Sequence, residues 1–408
     1  MIRAFCVFLH RWLGLATAAF LIVVGLSGSI LAFLPELDRW ITPQFHLGSI
    51  SGAELGAAEL IRRAEALAPG ARATSVELGN GDAVTVRMQP RPDAAGPASF
   101  NQLFLHPITG EELGRRLAGP LPDRLDALLP FIYRLHYSLA LGSLGSWTLG
   151  IVALLWTFDC FIAFFLTLPA SASTSSSQKG WLRRWKPAWL IKWRASFYRV
   201  NFDIHRATGL WLWAALLIFA WSSVYMDLNG VYTAATRTLF ALEQSYWFRV
   251  NDSASVGEPM DWVAAQTVAE RIAADAVTDH GFAIDRVIYF GLDRDNHLFE
   301  YRVHSSRDIG EKSGQTFFWF DASTGALLSM ILPTGHRVGN TLTTWLVELH
   351  EANVFGLPYK IFVCVLGLAI AALSVTGVYM WWKKRQARRI RKARGAPAGA
   401  APEATDVE

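Results

Sequence analysis

The chain has 408 residues and a formal net charge of +4; 52% of its residues are hydrophobic and 17 are tryptophan. Soluble domains average about 45–50% apolar residues, so this composition argues against an ordinary soluble protein. The three cysteines, Cys6, Cys160 and Cys364, lie in or beside apolar runs without a CxxC pair, which argues against a disulfide framework and a thiolate metal site.

Four stretches are long and apolar enough to cross a lipid bilayer, which takes about 20 apolar residues in a helix. We predict membrane spans over residues 12–34, 147–168, 207–226 and 359–382. The first stretch exceeds the apolar core of a secretory signal, so we interpret it as an uncleaved anchor. The sequence thus predicts a mainly α membrane protein with a four-helix bundle.

Lysine and arginine fix the expected orientation of these spans. They are dense between residues 179 and 199 and between residues 383 and 394. Cytoplasmic segments carry such an excess, so both segments and both termini should be cytoplasmic, and the long segments 35–135 and 228–345 should face outward. The Ala/Pro/Gly-rich stretch 395–408 is typical of disorder.

Three landmarks occur twice in the same order, which indicates an internal duplication. They are HRxxG at residues 10–14 and 205–209, a strand–turn–strand pattern with Thr-Gly at 109–110 and 324–325, and Leu-His at 135–136 and 349–350. Each copy contains two spans, so both insert the same way up. This predicts a pseudo-two-fold axis along the membrane normal.

The outer segments have the pattern of small α+β domains. Helices are predicted over 51–67 and 259–277, and strands over 76–88 around an Asn80-Gly81-Asp82 turn, and over 287–292 and 298–304. We divide the chain into a first span (1–34), a first outer domain (35–135), a second span with its His segment (136–168), a basic cytoplasmic loop (169–204), a third span (205–227), a second outer domain (228–345), a fourth span with its His segment (346–383) and a basic, disordered tail (384–408).

Four of the ten histidines form two pairs that the repeat relates: His10 with His205 at the cytoplasmic side, and His136 with His350 at the outer side. Haem iron takes two axial ligands from opposite sides, and a two-fold repeat supplies two equivalent histidines. A helix rises about 1.5 Å per residue, so His10 cannot share an iron with His136. We therefore expect two b-type haems. Histidines that anchor helix ends are the alternative; zinc usually takes four ligands.

Other ionisable residues are weaker candidates. Arg11 and Arg206 follow the first pair and suit haem propionates, although a positive-inside, lipid-facing role is equally compatible. Asp159 inside the second span suggests a proton or quinone role, or a capped structural carboxylate. His106, whose repeat counterpart is Asp321, could help bind an iron complex. The remaining histidines are expected to be solvated or hydrogen-bonded; they are His46, His280, His297, His304 and His336.

In these doubled motifs the sequence resembles the PepSY-associated transmembrane family, which includes ferric-siderophore reductases of the bacterial inner membrane. The resemblance covers the chain up to its basic tail. It implies PepSY-like outer domains, paired haems and electron delivery to periplasmic iron chelates. One departure is His106, where such a turn usually carries the aspartate found at Asp321.

We therefore expect a haem-dependent oxidoreductase that reduces ferric siderophores or other ferric chelates. The sequence shows no nucleotide-binding fingerprint, so the electron donor should be quinol or a separate flavoprotein. Two other functions remain open: a non-enzymatic sensor or accessory protein, and a component of an iron-chelate transporter. We expect no nucleic-acid partner.

Overall fold

The computed structural model describes residues 1–48, 52–79, 83–93, 99–119, 121–122, 124–170, 180–248 and 257–394. The chain forms two compact units: Met1–Gly25 with Leu155–Leu217 and Leu368–Glu408, and Leu26–Leu154 with Ile218–Gly367. The helices are α1 (Ile2–Leu31), α2 (Leu34–Ile41), α3 (Ala57–Leu67), α4 (Leu128–Ser138), α5 (Ser143–Thr167), α6 (Trp181–Trp185), α7 (Phe197–Trp211), α8 (Trp213–Asp227), α9 (Asn229–Arg237), α10 (Trp262–His280), α11 (Val338–His350) and α12 (Gly356–Arg394).

Three helices within the described residues, α1, α5 and α12, are each long and apolar enough to cross a membrane. The bent pair α7 and α8 passes the same test if it is counted as one span. Such helices satisfy their backbone groups internally, as a lipid environment requires. The protein is therefore a multi-pass membrane protein with three or four spans.

The third span differs from its prediction as one continuous helix over 207–226. The chain breaks at Leu212, and α7 and α8 meet at an angle of 68°. The indole of Trp213 donates to the carbonyl of Cys160 at 2.9 Å, which holds the start of α8 against α5. This contact joins distant parts of the sequence, and residues 207–226 are apolar on both sides of the break, so hydropathy alone predicts a single helix.

The last span continues further than predicted. We expected a disordered tail from residue 384, but α12 is helical to Arg394. Its final turns hold Lys, Arg, Gln and Ala, which lose little side-chain freedom in a helix, and the apolar span before them has already nucleated it. Residues 395–408 lie outside the described part of the chain.

Within the described residues, the two long segments that we predicted to face outward form one antiparallel sheet of eight strands. The strands are β1 (Ala71–Glu77), β2 (Val84–Pro90), β3 (Gln102–Leu105), β4 (Glu112–Arg116), β5 (Ile284–Asp293), β6 (Leu298–Ser305), β7 (Thr316–Asp321) and β8 (Leu327–Ile331). Their order is β4-β3-β2-β1-β5-β6-β7-β8, with Val76 opposite Phe290 at the central seam. Two small α+β domains were predicted; their strands instead join edge to edge.

The helices α3 and α10 pack on this sheet and form its main core. Leu60 and Ile61 of α3 belong to the same core as the strand side chains Phe290, Phe299 and Phe320, and none of these five is exposed. Each such burial stabilises by about 1.5–3 kcal/mol. The helix α10 begins after Asp261, whose carboxylate accepts from the amides of Val263 and Ala264, as an N-cap does.

The repeated Thr-Gly turns have the conformation that their glycines predict. Gly110 and Gly325 lie at φ 69° and 71°, in the left-handed region that favours glycine. The predicted Asn80-Gly81-Asp82 turn lies outside the described residues. The histidine-bearing helices α4 and α11 each come directly before a span, α5 and α12 respectively.

Candidate functional site

The first histidine pair lies in the first unit, with His10 on α1 and His205 on α7. Their ring centroids are 6.1 Å apart and the rings are inclined by 57°. His10 Nδ1 bonds both carboxylate oxygens of Asp159 on α5, at 2.9 and 3.0 Å. His205 Nδ1 bonds the carbonyl of Leu373 at 3.1 Å and the hydroxyl of Thr376 at 3.0 Å.

The second pair lies in the second unit, with His136 on α4 and His350 on α11. Their ring centroids are 6.2 Å apart, at 67°. Nδ1 of His136 bonds the hydroxyl of Ser27 on α1 at 3.0 Å, and Nδ1 of His350 bonds that of Ser222 on α8 at 2.7 Å. The ring of Phe219 stacks on His350 at 4.7 Å.

The hydrogen bonds at Nδ1 determine which ring nitrogen can bind a ligand. Asp159 and the Leu373 carbonyl are acceptors, so Nδ1 of His10 and of His205 carries the proton. The Ser222 hydroxyl donates to the Phe219 carbonyl and so accepts from His350. Burial, together with the neighbouring His136, lowers the pKa of His350 well below its usual range, which keeps the ring neutral. A partner at Nδ1 leaves the lone pair of Nε2 available to a metal.

The spacing within each pair would suit two ligands of one metal ion. Metal–nitrogen bonds of about 2 Å, with about 1 Å from each nitrogen to its ring centre, place two such rings about 6 Å apart. In the described part of the chain, no group of three or more His, Cys, Asp or Glu side chains is placed to hold a metal ion. Each pair therefore offers two histidine ligands, the number that a six-coordinate haem iron would use.

A glycine makes room for one of these rings. A Cβ at Gly28 on α1 would lie 3.0 Å from Cε1 of His136, closer than side chains normally approach. Glycine at this position therefore lets the ring lie directly against the helix. The space at Gly28 admits the His136 ring, and the hydrogen bond with Ser27 keeps the ring against α1.

The connections after the two histidine helices are strained. Leu139 and Ala140 follow α4 with φ of 52° and 57°, and Ala352 and Phe355 follow α11 with φ of 53° and 58°. Positive φ is unfavourable for residues with a Cβ, and such strain concentrates at functional sites. Both second-pair histidines thus stand beside backbone that the surrounding fold must hold in place.

The serine partners were not predicted, although the sequence contains a signal for them. Ser222 follows Ser27 by 195 positions, the same interval that separates His205 from His10. A search for matched polar residues at this interval inside the spans would have found both. The residues that bond the first pair are matched in the same way. Asp159 bonds His10 and Leu373 bonds His205. Leu373 follows Asp159 by 214 residues, the interval that separates His350 from His136.

The two arginines proposed for propionates are placed differently from each other. Arg206 donates to the carbonyls of Pro187 and Leu190, at 2.6 and 3.2 Å, and to Asp203 at 2.8 Å. The two bonds to carbonyls attach α7 to the preceding turn, whereas Asp203 lies on α7 itself. Arg11 makes no hydrogen bond or ion pair with the described residues.

His106 and His304 have local hydrogen-bond partners. His106 Nδ1 accepts from the amides of Ile108 and Thr109, both at 3.2 Å, just as Asp321 accepts from those of Ser323 and Thr324. The substituted residue therefore preserves the turn. His304 bonds Asp285 at 2.7 Å. His297 is buried, and its Nε2 has no hydrogen-bond partner among the described residues, so the expectation of a solvated or hydrogen-bonded ring is wrong for this residue.

The chain matches a family model described as PepSY-associated TM region over residues 7–384. No curated protein matches the chain.

Proposed function

The chain belongs to the PepSY-associated transmembrane family, and from this premise we propose that it is a di-haem membrane oxidoreductase. In this proposal it carries electrons from quinol or a separate flavoprotein across the bacterial inner membrane to periplasmic ferric chelates. The observation that supports it most is the geometry of the two histidine pairs. Their ring centroids are 6.1 and 6.2 Å apart, and every Nδ1 has a hydrogen-bond partner.

In this proposal the four histidines bind the two haems, and other side chains orient the histidine rings. His10 with His205 would hold one haem iron through Nε2, and His136 with His350 would hold the other. When bound, haem would supply the one-electron chemistry that histidine side chains lack. Asp159, Ser27 and Ser222 fix the ring orientations through Nδ1, and Phe219 packs against His350. Such outer partners raise the basicity of a ligating imidazole and hold its tautomer.

We also propose that the chain arose by duplication and that the basic loop and both termini are cytoplasmic. The sheet supports the duplication, because strands β1–β4 come from one half of the sequence and β5–β8 from the other, in mirrored order. Under this orientation the sheet is periplasmic. The PepSY-like domains would then receive the ferric siderophore or other chelate that arrives there.

One observation favours a different function, that of a non-enzymatic binding module. The second unit contains a cavity of about 580 Å³ lined by residues of both halves, among them Glu54, Gln266, Asp285 and Tyr301. Such a cavity could hold a peptide or a small polar ligand without any redox chemistry. A sensor of this kind, or a transporter component, needs no haem.

A visible spectrum of the purified protein separates these proposals. After expression with a haem supply, the protein should contain two low-spin b-type haems for each chain, both reduced by dithionite. The reason is that each of the two sites offers two histidines and, within the described residues, no third metal-binding side chain. One haem or none at full occupancy would contradict the two-site proposal, and a colourless protein would favour the binding module.

A further inference from the structure

The carboxylate of Asp159 distinguishes the first histidine pair from the second. Both of its oxygens lie within 3.0 Å of Nδ1 of His10, and its side chain is 13% exposed. The other member of the same pair, His205, bonds a backbone carbonyl and a hydroxyl instead. In the second pair, serine hydroxyls bond His136 and His350.

The matched position in the other half of the chain shows that a carboxylate is not needed for orientation. The residue 214 positions after Asp159 is Leu373, whose backbone carbonyl accepts from His205. A neutral carbonyl thus holds one ring in the same pair. A carboxylate within a membrane span is expensive, and such residues default to a functional role. The charge itself, rather than the hydrogen bond, calls for an explanation.

The negative charge of Asp159 would affect a metal ion bound by the His10 ring. A carboxylate that accepts from Nδ1–H raises the electron donation of the imidazole through Nε2. In a low-dielectric surrounding its charge also stabilises a more positive partner over a less positive one. Ferric iron carries one more positive charge than ferrous iron. Both effects therefore favour the oxidised state of an iron held by His10 and His205.

From this asymmetry we propose that Asp159 is a positioning residue that gives the haem held by His10 and His205 a lower reduction potential than the haem held by His136 and His350. The inference rests on the proposed di-haem function and deepens it. A lower potential in the first pair makes the passage of an electron to the second pair favourable. The chain would then set the direction of transfer through one side chain.

A redox titration of the full-length protein tests the inference. In a His136→Ala background only the haem of the first pair remains, so its midpoint can be followed alone by visible absorbance. Asp159→Asn should raise this midpoint, and Asp159→Glu, which keeps the charge, should leave it near that of the parent. The matched control is Ser222→Ala in a His10→Ala background, which should move the remaining midpoint much less. If the Asp159→Asn protein binds haem and its midpoint is unchanged, Asp159 only connects α1 to α5, and the inference is overturned.

If the Asp159→Asn protein fails to bind haem, the order of the reduction midpoints of the two haems tests the inference instead. The His136→Ala protein must then titrate at a lower potential than the His10→Ala protein, and the reverse order overturns the inference while leaving the di-haem proposal intact. A wild-type protein that binds no haem overturns both. Ferric electron paramagnetic resonance of the same two proteins is an independent measurement. A more strongly donating imidazole should give the haem of the first pair g-values that differ from those of the second pair.

Discussion

The two histidine pairs should act as separate sites, because each lies within its own compact unit. His10→Ala or His205→Ala should remove one haem and leave the other, and His136→Ala or His350→Ala should remove the second. Haem content for each chain, measured as the pyridine haemochrome, checks this. The exposed His336→Ala serves as the control and should keep both haems. Loss of the same haem in His10→Ala and His136→Ala would show that the pairing is wrong.

A buried glutamate in the sheet should make stability depend on pH. Glu300 on β6 is 4% exposed and accepts from the indoles of Trp319 and Trp247. Burial raises its pKa to about 7. The folded state therefore binds a proton that the unfolded chain has released, so stability falls as pH rises from about 4.5 to about 7 and is level above that.

Glu300→Gln should remove this loss, because a glutamine cannot ionise. At pH 8 the variant should unfold at a higher temperature than wild type, with a gain of at most about 3 kcal/mol, and near pH 4.5 the two should be alike. Intrinsic tryptophan fluorescence during heating gives the midpoints. The exposed Glu54→Gln is the matched control and should change neither value. A variant less stable than wild type at pH 8 would contradict the argument.

At the scale of single elements, local patterns predicted some features and missed others. The apolar spans and the Thr-Gly turns at 109–110 and 324–325 were predicted, because apolar length and turn type depend on neighbouring residues. The bend at Leu212 and the pairing of β1 with β5 depend on contacts between distant segments, which one sequence does not contain. The histidine pairs were proposed from the repeat. The residues that bond their Nδ1 atoms lie on other helices, and the structure was needed to identify them.

The close approach of α4 to α1 depends on Gly28. A leucine here would push against the His136 ring, since even its Cβ would lie 3.0 Å from Cε1. Gly28→Leu should therefore speed haem loss from the His136–His350 pair and leave the other pair unaffected. Transfer of haem to apomyoglobin, followed by absorbance, measures both rates. Gly230→Leu on α9 has open space around it and should behave as wild type; equal loss rates in the two variants would remove the role assigned to Gly28.

At the scale of the whole molecule, the family match over residues 7–384 confirms the resemblance found in the doubled motifs. The eight-stranded sheet belongs to the same unit as the His136–His350 pair, whereas the His10–His205 pair belongs to the other. A ferric chelate is bulky and polar, so it cannot enter the hydrocarbon of a bilayer, which is about 30 Å thick. Under the proposed function and orientation, the second pair is therefore the expected point of contact with the chelate.

Reoxidation of the reduced protein by a ferric siderophore should accordingly depend on the second pair. Protein reduced with dithionite in detergent and freed of the excess reductant should lose its ferrous spectrum when the chelate is mixed in. His350→Ala should block this, although the haem of the first pair stays reducible, because the remaining iron has no contact with the chelate. His10→Ala removes the other haem and is the matched control; it should be reoxidised at a rate near that of wild type. Stopped-flow absorbance measures all three rates. If the His350→Ala protein were reoxidised as fast as wild type, electrons would not leave through the His136–His350 pair.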